Sequence, residues 1–225
     1  MSASKNNQIL EFKNLVLSYI REKDVGEFSD FVFRLYRRHY RKKYGWEPSE
    51  EEYYGMKEED IKRFFQSTCF AFKNNLNQIV GTIKVTYKLP ADVFPIEDEF
   101  GIDLDTIINE RGLKVNHIWH LGRLAIDSAL LKKEKDIIPS TLLIRELIRQ
   151  TFMIVNRNKN GLIVAESDAL IYTIFRELGI NMQKIGPVQD CLGSPTYPVI
   201  ITGEDVKSWL RNIDDINSDT LYMIK

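Results

Sequence analysis

At 225 residues the chain is long enough to bury a sizeable core as one domain. Its 31 Lys and Arg balance 32 Asp and Glu, so no global field draws nucleic acid or a membrane surface. No stretch approaches the ~20 apolar residues of a membrane span, and MSASKNNQIL lacks the basic start and apolar run of a signal peptide. Two cysteines, Cys69 and Cys191, make neither a disulfide framework nor a zinc cluster, and with no metal-ligand spacing among three histidines the reading is cytoplasmic and metal-free.

The first 25 residues are mixed, with one apolar patch from Phe12 to Ile20. Phe28, Phe31, Val32, Leu35 and His39 recur at helical spacing and predict a helix over 27–44, ended by Gly45 and kept from restarting by Pro48. EPSEEEYYGMKEED reads as acidic turn material before a short helix over 60–66. β-Branched and aromatic residues then predict a hairpin, 68–72 with 79–87, turning at Asn74, Asn75 and Asn77. A long excursion over 88–116 holds one short helix at 103–110, and a third strand spans 117–127. Pro139 and Ser140 open a helix reaching Asn158, with Leu143, Leu147, Ile148 and Val155 on one stripe. A strand at 162–165 leads to a helix capped by Ser167 and ended by Gly179, then weaker strands at 182–185 and 199–202. This order implies an α/β (α+β) domain with a mixed sheet and helices on both faces. It fills 1–225 as a single domain, with a core of about 27–202 and a C-terminal helix and tail over 203–225.

The segments FRLYRRHYRKKYGWEP, IVGTIKV, FPIEDEFG and HIWHLGRLAID follow one another in an order that resembles the GNAT acyltransferases over residues 28 to 202. Within that fold they are similar to the N-acyl amino acid synthases and the acyl-homoserine lactone autoinducer synthases. The resemblance implies a GNAT-like, mostly antiparallel central sheet. It also implies transfer of an acyl group to the amine of an amino acid or similar small acceptor. It further implies that no cofactor is held permanently and that acyl-phosphopantetheine on acyl carrier protein, or acyl-CoA, is the co-substrate. Acetyl-CoA-dependent members carry a glycine-rich loop after the central strand, whose N–H groups cradle a pyrophosphate. Here that stretch is SALLKKEKDIIPSTLLIREL, without glycine, which agrees with a carrier-protein donor. Three further positions depart from the family. His120 stands where the family commonly has Glu, Phe175 where a Tyr often serves as general acid, and Lys84 where the branch usually has Arg.

Amine acylation requires a base, alignment of the amine with the thioester carbonyl, and oxyanion stabilisation. His120 is the base candidate, because imidazole exchanges protons near neutral pH, or else a structural histidine hydrogen-bonded within the strand. Strand alternation puts Arg123 with Trp119, Leu121 and Ala125, opposite His120. It either holds an acceptor carboxylate or pairs with an internal Asp or Glu; a bulge would bring both strand faces to one cleft. Glu166 ends the strand after the long helix and is a second base, an ammonium anchor or a solvated surface carboxylate, and Glu97 and Glu99, in the excursion that could wall the acceptor site, are either site or surface carboxylates. The donor arm is expected along Leu124, Ala125, Ile126 and Asp127, between strands 117–127 and 161–165. Arg34, Arg37, Arg38 and Arg41 on the first helix form either a solvated face or a dock for acidic acyl carrier protein. Their interleaved aromatics read as helix packing, not as base-stacking platforms, so nucleic acid is not expected. The alternative to an enzyme is a catalytically silent GNAT-fold module that binds a pantetheine ligand or a protein partner, a reading favoured by Phe175 and by the absence of Glu at position 120.

Overall fold

The computed structural model describes residues 8–133 and 138–221, with side chains described through residue 213. Part of the glycine-free stretch (134–137), the start of the mixed N-terminal segment (1–7) and the end of the expected tail (222–225) lie outside the described residues. In chain order the elements begin with β1 (Gln8–Phe12), β2 (Leu15–Tyr19), α1 (Val25–Tyr44), α2 (Glu50–Lys62), β3 (Ser67–Asn74) and β4 (Ile79–Tyr87). Next come α3 (Pro95–Asp98), α4 (Leu104–Glu110), β5 (His117–Ile126), α5 (Ser128–Leu131) and α6 (Ser140–Val155). The chain ends with β6 (Gly161–Asp168), α7 (Ala169–Glu177), β7 (Gln183–Lys184), β8 (Gln189–Cys191), β9 (Ser194–Thr202) and α8 (Gly203–Leu221). They fall into two compact units. The first holds Met1–Thr86, Leu121–Ile148 and Leu192–Ser194; the second holds Tyr87–His120, Arg149–Cys191 and Pro195–Lys225.

In the first unit the strands follow one another as neighbours from β1 to β5. The apolar patch at 12–20 is the β1–β2 hairpin, with Lys13 left-handed at its turn (φ 57°). β2 pairs antiparallel with β3, and Leu15 and Leu17 have no exposed surface. The stripe on α1 packs Phe28, Phe31, Val32 and Leu35 against Cys69, Ala71, Ile79 and Ala125. Gly45 ends α1 with φ 73°, donating to Arg41 O while Trp46 donates to Tyr40 O.

The acidic segment corrects the expectation of a turn. Residues 50–62 are helix α2, started by a capping box in which Glu52 N donates to Ser49 Oγ and Ser49 N donates to a Glu52 carboxylate oxygen. Three glutamates in its first turn also face the positive end of the helix dipole. The helix lacks an apolar stripe, and its one fully buried residue is Asp60.

Strand β5 departs from strict alternation. Asp127 N donates to Val80 O at one end and Lys88 N donates to Ile118 O at the other, so the antiparallel register against β4 moves by one residue between them. Arg123 takes up the extra residue with φ 58°, and its carbonyl accepts from Thr82 Oγ1. Ala125 consequently joins the α1 core.

In the second unit, β5 pairs parallel with β6 from His117↔Gly161 to His120↔Val164. β6 pairs antiparallel with β9 from Leu162↔Thr202 to Asp168↔Thr196, and β7 adds to β9. Phe94, Ile96, Leu104, Leu162, Val164, Ile185 and Ile200 form the core there. Asp168, not Ser167, caps α7: Ile171 N donates to Asp168 Oδ1 at 2.8 Å, because β6 runs three residues further than expected and keeps Ser167 buried in the strand. Gly203 starts α8 where a Cβ would lie 2.9 Å from the Gly161 carbonyl oxygen, so only glycine fits. Among the described residues no helix is long and apolar enough to cross a membrane.

Candidate active site

His120 and Glu166 meet in the second unit. His120 is the last residue of β5 in the parallel ladder, opposite Val164. Glu166 lies two residues beyond Val164 on β6 and therefore on the same face. The imidazole Nε2 and Glu166 Oε2 are 2.7 Å apart, and each side chain is 13% exposed. With the proton on Nε2, the carboxylate accepts it and orients the ring, leaving Nδ1 as a lone-pair base. An imidazolium formed there is stabilised by the same carboxylate, the arrangement of a base steadied by an acid. Phe94 packs beside the imidazole with ring centroids 5.1 Å apart. The other strand histidine, His117, is half-buried, with Nδ1 3.2 Å from the Tyr87 hydroxyl.

Arg123 is held in the first unit, in a buried ionic cluster. Its Nε donates to both carboxylate oxygens of Asp60 at 3.0 and 3.1 Å. Asp60 has no exposed surface and also accepts from Lys84 Nζ and, at 2.8 Å, from Ser29 Oγ. Burial alone would raise the Asp60 pKa, but the charges of Arg123 and Lys84 and the bonds from Lys84 and Ser29 hold it below its ordinary value. Lys84 is pulled down from its ordinary value by burial and by Arg123, against the attraction of Asp60. Burial also pushes the neighbouring Cys69 thiol up to about 12, which leaves it inert as a nucleophile. Of the two roles open to Arg123 in the sequence, the Nε bonds belong to the internal ion pair. The left-handed backbone at Arg123 re-aims the side chain away from the face that strict alternation assigns.

The remaining residues fall on α1 and at the end of β5. Arg34, Arg37, Arg38, Arg41 and Lys42 line a shallow basic depression on α1. Arg38 donates to Asp127 Oδ1 at 2.9 Å, while Arg37 and Arg41 pair with Glu47. Asp127 also caps α5, accepting from Leu130 N at 3.1 Å. Burial raises the Asp127 pKa, but the Arg38 bond, the Leu130 N–H and the charges of Arg38 and Arg34 bring it below its ordinary value. Leu124, Ala125 and Ile126 complete the strand before it. Phe175 is 1% exposed and serves the core.

Sequence reasoning named His120, Glu166 and Arg123 but missed Asp60, Ser29 and Phe94. A signal for Asp60 was present: Ser49-x-x-Glu52 is a capping-box pattern, and a helix begun there carries the chain through position 60.

No protein-family model matches the chain, and no curated protein matches it in sequence. Solved structures do match it. FeeM, an N-acyl amino acid synthase from uncultured soil microbes, superposes with a TM-score of 0.60 at 15% identity, over 84% of this chain and 90% of its own. The AHL synthase LasI follows with a TM-score of 0.57 at 14% identity, over 84% and 89%. TofI, solved in a ternary complex with an inhibitor and MTA, gives 0.53 at 14%, over 88% and 96%. The chain has the GNAT-like acyltransferase fold. Its mixed, mostly antiparallel sheet is the one that the sequence resemblance implied.

Proposed function

We propose that the chain is an N-acyltransferase that moves an acyl group from an acyl-phosphopantetheine thioester to the amine of an amino acid or similar small acceptor. The observation that carries this reading is the His120–Glu166 pair at the end of the parallel ladder. The likeness in fold to an N-acyl amino acid synthase and an AHL synthase supports it. His120 takes a proton from the acceptor ammonium, and the freed amine attacks the thioester carbonyl. The C–N bond forms, the attacking nitrogen gives its second proton to solvent, and the tetrahedral intermediate collapses with loss of the C–S bond, the departing thiolate taking the proton held by His120.

The donor arm lies along the end of β5. Asp127 N–H is turned to β4, so by alternation Leu124 and Ile126 turn theirs to the opposite edge, where they are donors for the amides of the arm. The glycine-free stretch after β5 favours acyl carrier protein over acyl-CoA, because no glycine is there to let the backbone close on a pyrophosphate. The basic depression on α1 supplies a dock for the acidic carrier, and the reaction is assigned to the cytoplasm.

Two measurements test this. Incubating the protein with acyl carrier protein thioesters, acyl-CoAs and a panel of amines should yield N-acyl products by mass spectrometry. Product from none of the donors would leave a silent pantetheine-binding module, the reading that Phe175 favours. Charge reversal at Arg34, Arg37 and Arg41 should lower kcat/KM for the carrier-protein donor about tenfold or more at low salt. The melting temperature should stay nearly unchanged, because these side chains are exposed. Unchanged turnover at low ionic strength would make α1 a solvated face.

A further inference from the structure

The segment between β4 and α4 is fastened to His120 by one buried ring. Phe94 is 1% exposed, lies in the core of the second unit, and stands 5.1 Å from the His120 ring at 39°. Its backbone is fixed twice over. Phe94 N donates to Glu97 Oε2 at 2.9 Å, and Phe94 O accepts from Glu97 N and Asp98 N. Pro95 sets the first position of α3, and the wholly buried Ile96 anchors the turn.

A cation joins this arrangement. Lys88 Nζ pairs with Glu97 Oε2 at 2.9 Å and lies 5.4 Å from the centre of the Phe94 ring. Lys88 also donates to the Asp92 carbonyl, while its own N–H donates to Ile118 O on β5. The same glutamate oxygen thus holds the Phe94 backbone and the ammonium that rests on the Phe94 ring. Loosening Glu97 removes one tie from each.

An imidazole that is oriented at one nitrogen by a carboxylate can still swing about that bond. A packed ring on its flank removes the freedom. We propose that Phe94 is a positioning residue for His120, and that the Lys88–Glu97 pair keeps it there. Phe94 does not touch substrate in this role; it fixes the plane in which Nδ1 presents its lone pair. The inference rests on the assignment of His120 as base. The positioning residue that it names, Phe94, carries no reactive group of its own.

The test uses Phe94→Leu, which keeps apolar bulk but removes the ring, and Glu97→Gln, which leaves the core untouched. Two readouts are followed beside melting curves: acyl transfer, and the carbon-bound imidazole protons in the NMR spectrum. With three histidines in the chain, the His120 signals are assignable by difference against His120→Gln. Wild-type His120 protons should carry the ring-current displacement of an imidazole packed against a tilted aromatic ring. Phe94→Leu should move them to the position of an imidazole without that neighbour and lower kcat about tenfold to a hundredfold, with acceptor KM little changed. Glu97→Gln should do the same in smaller measure. His120 signals unmoved by Phe94→Leu would overturn the proposal, as would signals that move while kcat stays at the wild-type value. If the wild-type chain acylates nothing, the acyltransfer reading falls and the catalytic part of this proposal falls with it. The NMR arm then still decides whether Phe94 packs on the ring.

Discussion

Replacing Asp60 with alanine should cost the fold about 3–5 kcal/mol, the usual penalty for removing one partner of a buried ion pair. Here the loss leaves two cations facing each other: the Lys84 side chain is 4% exposed, and Arg123 shares its carboxylate. Lys84→Met should cost less than Asp60→Ala, because it leaves Asp60 and Arg123 as a neutral pair with Ser29 still bonded. Denaturant titration of both variants measures the order, and a reversed order would show that the cluster is not held by its carboxylate. Acid provides an independent check. A carboxyl whose folded pKa is depressed stabilises the fold above its unfolded value and loses that contribution as pH falls through the folded one. Asp60 lies below 3.8, so its contribution should disappear only beneath that pH, and the corresponding loss should be missing from Asp60→Asn.

His120→Ala should lower kcat by roughly 10²–10⁴-fold, the worth of a positioned base. Activity should partly return at high pH, where the acceptor reaches the site already as free amine. Glu166→Gln should be less damaging, because an amide carbonyl still accepts from Nε2–H and holds the ring, although it no longer stabilises the imidazolium. The informative quantity is the pH profile beside the rate. Full activity in His120→Ala with an unchanged profile would transfer the role of base to Glu166. Melting curves on both variants separate chemistry from folding, since each side chain belongs to a strand of the second unit.

The elements that were legible in the sequence are those whose buried residues repeat locally. Phe28, Phe31, Val32 and Leu35 announce α1 because all four meet the same core. The hairpin of β3 and β4 is announced by its β-branched residues and its asparagine turn, where Asn77 adopts φ 59°. Helix α2 was not legible by periodicity. What fixes it is a cap at one end and an ionic contact at the other, and Asp60 finds Lys84, Ser29 and Arg123 only in three dimensions. The same holds at the candidate site. His120 and Glu166 were each recognisable as candidates, but their pairing depends on the parallel register that sets His120 against Val164. The shift of register at Arg123 depends on β4, and nothing local to GRLAID announces it.

The β1–β2 hairpin has a consequence for synthesis. Leu15 pairs with Asn74 and Tyr19 with Phe70, so β2 is matched to a strand that lies 51 to 59 residues later in the chain. At about 5–20 residues per second, the two fully buried leucines of β2 wait on the order of several seconds before their partner leaves the ribosome. Throughout that interval β2 is paired with β1 alone and keeps its other edge open, and β3 emerges with a free edge until β2 takes it. A chain beginning after Tyr19 would never close that edge. Its eight-residue strand, with Phe70 and Phe72 at its centre, would remain open to any other extended chain nearby.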